Sequence, residues 1–202
     1  MHRRSSKVLL ARQAIFGRDR AIVAYELLYR SPAERERALF IDNALATADV
    51  ADAAFRRIGI EAVVGRKRAL LNVDAEFLLS RRIERLPKES VMLELLETID
   101  IDAQIVRRCR VLKERGYQLA LDDVCQYSDK FEPLLEFVDV VKIDVIQLDA
   151  ESLAKLVRQL RAWPARLVAE KVSSASSLKQ CLGLGVEWVQ GFFCARPAVL
   201  AA

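Results

Sequence analysis

Polar residues interrupt the apolar runs of this chain at one recurring place, late in each run or just past it. Two extended segments come first, residues 8–16 and 21–29, and the turn Gly17-Arg18-Asp19-Arg20 between them makes an antiparallel hairpin. An alanine-rich helical region from Ala33 to Ile58 follows, with Leu39, Leu45, Val50 and Phe55 spaced over several turns. Beyond it, apolar runs at 69–73, 91–96, 117–121, 138–143, 166–172 and 187–193 alternate with amphipathic stretches that include 100–115, 151–163 and 174–184. Strands that are apolar throughout and separated by helices belong to a parallel sheet covered on both faces. Gly116 is placed to end one helix, and Ser173 or Ser174 to start another.

The alternation predicts an α/β fold, a TIM-like (β/α) barrel entered through an N-terminal antiparallel hairpin. An eight-unit barrel usually needs about 250 residues, so a 202-residue chain implies trimmed helices and loops or an incomplete unit. One domain over residues 8–202 is expected, with residues 1–7 as a flexible basic tail. No linker, repeat or low-complexity segment divides it.

A parallel barrel gathers all its strand C-termini on one face. That places Glu26, Asn72, Glu94 with Glu97, Asp122 with Asp123, Lys142 with Asp144, Glu170 with Lys171, and Gln190 around one pocket. Clustered carboxylates raise one another's pKa and cannot all stay ionised unless a cation neutralises them. Carboxylates and an amide oxygen, without imidazole or thiolate, form a hard oxygen cage suited to Mg²⁺, Mn²⁺ or Ca²⁺. Two such ions about 3.5–4 Å apart would share Asp122 and activate water against a phosphodiester, with Lys142 offsetting charge on the transferred group. Each residue also has a plainer reading: Asp122 and Asp123 as a helix cap, Asn72 as a turn residue, Lys142 with Asp144 and Glu170 with Lys171 as structural ion pairs.

The net charge of +4 comes from scattered arginines, and no aromatic residues interleave with them as a single-strand-binding groove requires, so DNA is not an expected partner. Cys109, Cys125, Cys181 and Cys194 lie far apart with no C-x-x-C pair, which excludes a zinc ribbon and makes reduced thiols and a cytoplasmic address the expectation. The apolar run 8–11 is too short for a signal segment, and no stretch reaches membrane-spanning length, so no membrane association is expected.

Eight ordered motifs then resemble the EAL domain family of cyclic di-GMP phosphodiesterases across nearly the whole chain. They are Arg-Gln-Ala-Ile at 12–15, Tyr-Glu-Leu-Leu-Tyr-Arg at 25–30, Leu-Asn-Val at 71–73, Glu-Leu-Leu-Glu at 94–97, Leu-Asp-Asp at 121–123, Val-Lys-Ile-Asp at 141–144, Ala-Glu-Lys-Val at 169–172 and Gln-Gly-Phe-Phe at 190–193. The resemblance implies hydrolysis of one phosphodiester bond of cyclic di-GMP, with Mg²⁺ or Mn²⁺ as cofactor and two ions expected. It implies that Glu26, Asn72, Glu94 and Asp122 hold the first ion, with Asp123 and Glu170 near the second. Lys142 would contact the attacking water or the phosphate, and Glu97 would support the site. Ligand contacts are implied for Gln13, Leu28, Arg30, Asp144 and Gln190.

Departures from the family pattern open a second reading. Phe-Gly-Thr-Gly after the paired aspartates is replaced by Val124-Cys125-Gln126-Tyr127-Ser128, a glutamate is replaced by Ser173, the proline of Gln-Pro-Ile by Ala14, and a tryptophan by Ser31. A non-hydrolysing cyclic di-GMP receptor or protein-interaction module therefore stands beside the phosphodiesterase, and an unrelated Mg²⁺-dependent barrel enzyme is a third reading. The variants Glu-Leu-Leu for Glu-Ala-Leu at 94–96 and Ala-Glu-Lys-Val for Ala-Glu-Gly-Val at 169–172 are most similar to EAL domains that precede an HDOD domain, so an HDOD or other signalling partner and a homodimer are also expected.

Overall fold

The computed structural model describes residues 9–30 and 50–200. The tail expected at 1–7, Ser31 and most of the helical region expected from Ala33 lie outside the described residues. The end of that region is a π-helical segment, Ala53–Ile58, followed by the short α1 (Ile60–Val64). The hairpin is present as β1 (Leu9–Gly17) and β2 (Ile22–Arg30), paired antiparallel from Leu9 with Arg30 to Phe16 with Ile22. The turn closes by a hydrogen bond from the Gly17 amide to the Ala21 carbonyl, and Arg20 takes a left-handed φ of 64° within it.

Parallel strands follow in chain order: β3 (Arg68–Val73), β4 (Val91–Leu95), β5 (Gln118–Val124), β6 (Val140–Asp144), β7 (Arg166–Glu170) and β8 (Trp188–Val189). Each pairs with the next, and β1 closes the ring by lying antiparallel between β8 and β2. Because β8 is only two residues long, it covers just the Phe16–Gly17 end of β1. The remaining edge is taken by β9 (Ala198–Leu200), which pairs with Leu10, Ala11 and Arg12. Nothing in the apolar pattern announced β9, whose three residues are too few to show an alternation.

Connecting helices lie where the sequence places them, with well-formed ends. In α3 (Ala103–Glu114) the Asp102 carboxylate accepts from the Gln104 and Ile105 amides, and Gly116, at a φ of 92°, follows its last turn. Asp149 caps α5 (Ala150–Leu160), and the Ser174 hydroxyl accepts from the Ser177 amide at the start of α6 (Ala175–Gly183). The shortening sits in two units: β3 leads to β4 through the five-residue α2 (Ala75–Leu79) and a 3₁₀ turn, and β5 leads to β6 through the four-residue α4 (Glu132–Leu135).

Two apolar cores result. The larger fills the space between strands and helices, with Leu71, Leu93, Leu119, Val141 and Leu167 on the strand side and Leu112, Leu153, Leu156 and Cys181 on the helix side. The smaller lies inside the barrel and consists of Ile15, Ala24, Leu70, Met92, Ala120, Val140 and Val168. Strand side chains alternate between faces, so the next inward positions are two residues on: Glu26, Asn72, Glu94, Asp122, Lys142 and Glu170. On β1, which runs the other way, the corresponding residue lies two before Ile15 and is Gln13. The strands are therefore not apolar throughout; they are apolar outward, and inward they switch from an apolar layer to a polar one.

Cys109 and Cys181 are buried in the outer core, and burial pushes the Cys109 thiol up to about 12. At pH 8 only about one molecule in ten thousand then carries the reactive thiolate. Ellman titration of the native protein should leave Cys109 and Cys181 unmodified while the half-buried Cys125 reacts, and all four cysteines should react on unfolding.

Candidate metal centre at the barrel mouth

Lys142 is fully buried, and its Nζ sits among four carboxylates from four other strands. It lies 3.7 Å from Glu26 Oε2, 2.9 Å from Asp122 Oδ1 and 2.7 Å from Glu170 Oε1, and it donates to Glu94 Oε1 as well. Register explains the convergence: Asn72 stands opposite Glu94 across β3 and β4, and Asp144 opposite Glu170 across β6 and β7. Burial alone would push the Lys142 ammonium down, but the surrounding carboxylates outweigh it and hold its pKa well above that of a free lysine. The side chain is permanently a cation.

One ammonium cannot satisfy four carboxylates. Burial, reinforced by the neighbouring negative groups, drives Glu94 and Glu170 well above the usual carboxylate range against the pull of Lys142. Asp122 is also penalised by burial, yet the charge of Lys142 and hydrogen bonds from Glu94, Lys142 and Glu170 bring it below its ordinary value. Without a further cation, the surplus negative charge favours the protonated forms of Glu94 and Glu170.

The donor set fits a divalent ion. Oxygens of Glu94, Asp122 and Glu170 lie within 4.8 Å of one another, as do oxygens of Glu97, Asp122 and Asp123, so Asp122 belongs to both groups. Glu94 Oε2 and Glu170 Oε2 are buried and without a hydrogen-bond partner, a need that a cation among these acids would meet. All the donors are hard oxygens.

Polar residues brace this cluster. The Gln190 side-chain amide donates to Glu26 Oε2 at 2.5 Å and to Gln13 Oε1 at 3.1 Å, while Gln13 donates to the Ala195 carbonyl at 2.9 Å. Just past Gln190 the chain runs close against the segment that follows β7: the Val172 amide donates to the Gln190 carbonyl at 3.0 Å, and a Cβ on Gly191 would lie 2.2 Å from the Val172 carbonyl oxygen. Leu28 is half-buried on the inward face of β2, two residues beyond Glu26. Arg30 ends β2, and its side chain lies outside the described residues.

A second ion-pair system stands beside the first. Lys171 Nζ lies 2.7 Å from Asp123 Oδ1 and 2.6 Å from Asp144 Oδ2. Asp144 also accepts from the Ile146 amide at 2.9 Å and the Gln147 side-chain amide at 2.8 Å, so both of its oxygens are engaged within the chain. The plainer pairings of Lys142 with Asp144 and of Glu170 with Lys171 are thus exchanged: Glu170 turns to Lys142, and Asp144 to Lys171. Lys171 was expected at the pocket beside Glu170, but without a metal, ligand or catalytic role. Its only sequence signal is a cation where the related motif has glycine.

The loop after β5 is packed. Val124 is buried, Tyr127 donates to Glu132 Oε2 at 2.7 Å, and its ring meets Phe131 edge-on at 6.0 Å between centroids.

A closed eight-stranded barrel with strand-end acids converging on a buried lysine defines the EAL type of (β/α) barrel. The sequence profile of the EAL domain matches residues 4–197, and the chain belongs to that family. It is 32% identical over 199 residues to the uncharacterized protein YuxH of Bacillus subtilis (strain 168), covering 96% of this chain and 48% of that one. It is 30% identical over 193 residues to the cyclic di-GMP phosphodiesterase CdgJ of Vibrio cholerae serotype O1, covering 95% of this chain and 44% of that one. The chain therefore spans about half the length of the curated relatives it matches. Among solved structures, BlrP1 of Klebsiella pneumoniae with manganese and cyclic di-GMP superposes at a TM-score of 0.75 and 22% identity, over 98% of this chain and 58% of that one. The EAL-domain protein YkuI of Bacillus subtilis, with cyclic di-GMP and calcium, gives 0.72 and 20%, over 95% and 56%. An HDOD association and a homodimer find no support among these matches. No helix among the described residues is long and apolar enough to cross a membrane.

Three outcomes follow from the charge balance. Lys142→Met leaves the buried carboxylates without their counter-cation, and it should lower the unfolding free energy in EDTA by about 3–5 kcal/mol, read by urea titration. The raised pKa values of Glu94 and Glu170 mean that the folded state holds protons the unfolded state has released. This contribution makes metal-free stability fall as pH rises above the ordinary carboxylate range. Asp122 contributes with the opposite sign, losing stability as pH falls through its depressed value. Divalent-ion binding should displace the glutamate protons, so calorimetry should show proton release and Mn²⁺ affinity increasing with pH.

Proposed function

We propose that this domain is a divalent-metal-dependent phosphodiesterase that hydrolyses one phosphodiester bond of cyclic di-GMP to give linear pGpG. The observation that carries this reading is the meeting of Glu26, Glu94, Asp122 and Glu170 around Lys142 with buried, unsatisfied glutamate oxygens among them. Membership of the EAL family and the 30% identity to a cyclic di-GMP phosphodiesterase supply the substrate class.

Glu26, Asn72, Glu94 and Asp122 would hold one ion and Asp123, with Glu97, the other; hard oxygen donors favour Mg²⁺ or Mn²⁺. When bound, such an ion supplies Lewis-acid chemistry, lowering the pKa of water and screening phosphoryl charge. Lys142, held protonated by its neighbours, faces the anionic phosphodiester and stabilises the charge that develops on it. Glu170 accepts a proton once its own has been displaced, which suits it to deprotonate the attacking water. Gln190 and Gln13 orient Glu26. Leu28 and Arg30, beyond Glu26 on β2, and Asp144, through Lys171, shape the rim that receives the ligand. The unpaired state of Cys109, Cys125, Cys181 and Cys194 supports a cytoplasmic address.

A second reading, a receptor that binds cyclic di-GMP without cleaving it, is favoured by the hold of Lys171 on Asp123 and by the packed loop at Tyr127.

Incubation of the purified protein with cyclic di-GMP and Mg²⁺ or Mn²⁺, followed by chromatography, tests the two. Linear product is expected, with turnover reduced at least about 100-fold in Glu94→Gln, Asp122→Asn and Lys142→Met. Equal turnover in these variants would refute the assignments. Binding without product would establish the receptor.

A further inference from the structure

The main site has its own resident cation in Lys142, and a second lysine holds the neighbouring acids in the same way. Lys171 follows Glu170 directly, and its backbone adopts a left-handed φ of 56°. Asp123 does likewise at 48°. Neither is glycine, and left-handed conformations of ordinary residues persist where surrounding contacts determine them. Here the contact that joins them is the ion pair itself, at 2.7 Å, and Asp144 anchors its far side.

The carboxylate that Lys171 holds belongs to the candidate ligand group of Glu97, Asp122 and Asp123. A divalent ion bound to Asp123 at the usual distance of about 2.0–2.6 Å would sit within a few ångströms of the ammonium. Two cations that close repel each other, so either the ion or the lysine can use this carboxylate fully, not both.

We propose that Lys171 is a built-in cation occupying the Asp123 side of the centre. The domain then takes one divalent ion tightly, on the side of Glu26, Asn72, Glu94 and Asp122, where Lys142 leaves Glu94 Oε2 free, and a second only weakly, at Glu97, Asp122 and Asp123. This inference rests on the metal-dependent reading of the site, but it concerns ion stoichiometry rather than turnover. It assigns the lysine that replaces glycine in the related motif a direct part in setting metal demand.

Mn²⁺ titration of the full chain, with free Mn²⁺ followed by electron paramagnetic resonance, tests it without reference to catalysis. The wild type should show a single tight site. Lys171→Gly, which suits the left-handed backbone, should tighten the second site by about 10-fold to 100-fold. Lys171→Asn, also tolerant of that backbone, should act in the same direction, and adding Asp123→Asn to Lys171→Gly should abolish the gain. Two equally tight ions in the wild type, or no tightening in either variant, would overturn the proposal while leaving metal-dependent hydrolysis intact. Failure of wild type and variants alike to bind Mn²⁺ would overturn both. Loss of folding in both single variants would also overturn it, by making Lys171 a structural brace.

Discussion

The architecture of the site depends on one buried ammonium among four carboxylates. Lys142 sits in the centre of the barrel mouth because β6 has an inward position where the apolar interior ends, and every neighbouring strand offers an acid at the same height. A lone positive charge buried this deeply would be untenable, and so would the acids without it. Together they hold five strands in register and still leave negative charge to be balanced. That surplus is the chemical capacity of the site: it raises Glu94 and Glu170 above the usual carboxylate range, and it is what a divalent cation would meet.

Gln190 and Gln13 lock Glu26 through a chain of amides that spans the junction of β8, β1 and β2. That junction is where the barrel changes from parallel to antiparallel pairing and where β8 is shortest. Hydrogen bonds between side chains thus reinforce the seam at which the backbone ladder is thinnest. Gly191 belongs to the same seam, since only a residue without Cβ lets the chain pass so near Val172.

Much of this was legible in the sequence. The barrel followed from the alternation of apolar runs and helices, and the mouth residues from their lateness in each run. A sharper signal lay unused: Ala24 to Glu26, Leu70 to Asn72, Met92 to Glu94, Ala120 to Asp122, Val140 to Lys142 and Val168 to Glu170 are all spaced by two. In a strand that spacing means the same face, so interior floor and active rim are written side by side. Partner choice was less legible. Whether Lys142 turns to Asp144 or to Glu170 depends on register between strands, which spacing along one strand does not encode. The part played by Lys171 was hidden for a different reason, because it rests on a backbone φ that a lysine rarely adopts.

The apolar layer beneath the site has its own bearing on traffic. Ile15, Ala24, Leu70, Met92, Ala120, Val140 and Val168 stop the barrel like a cork, all at most 2% exposed. A guest arriving at the acidic rim meets a dead end, so whatever enters the mouth must leave by the same opening.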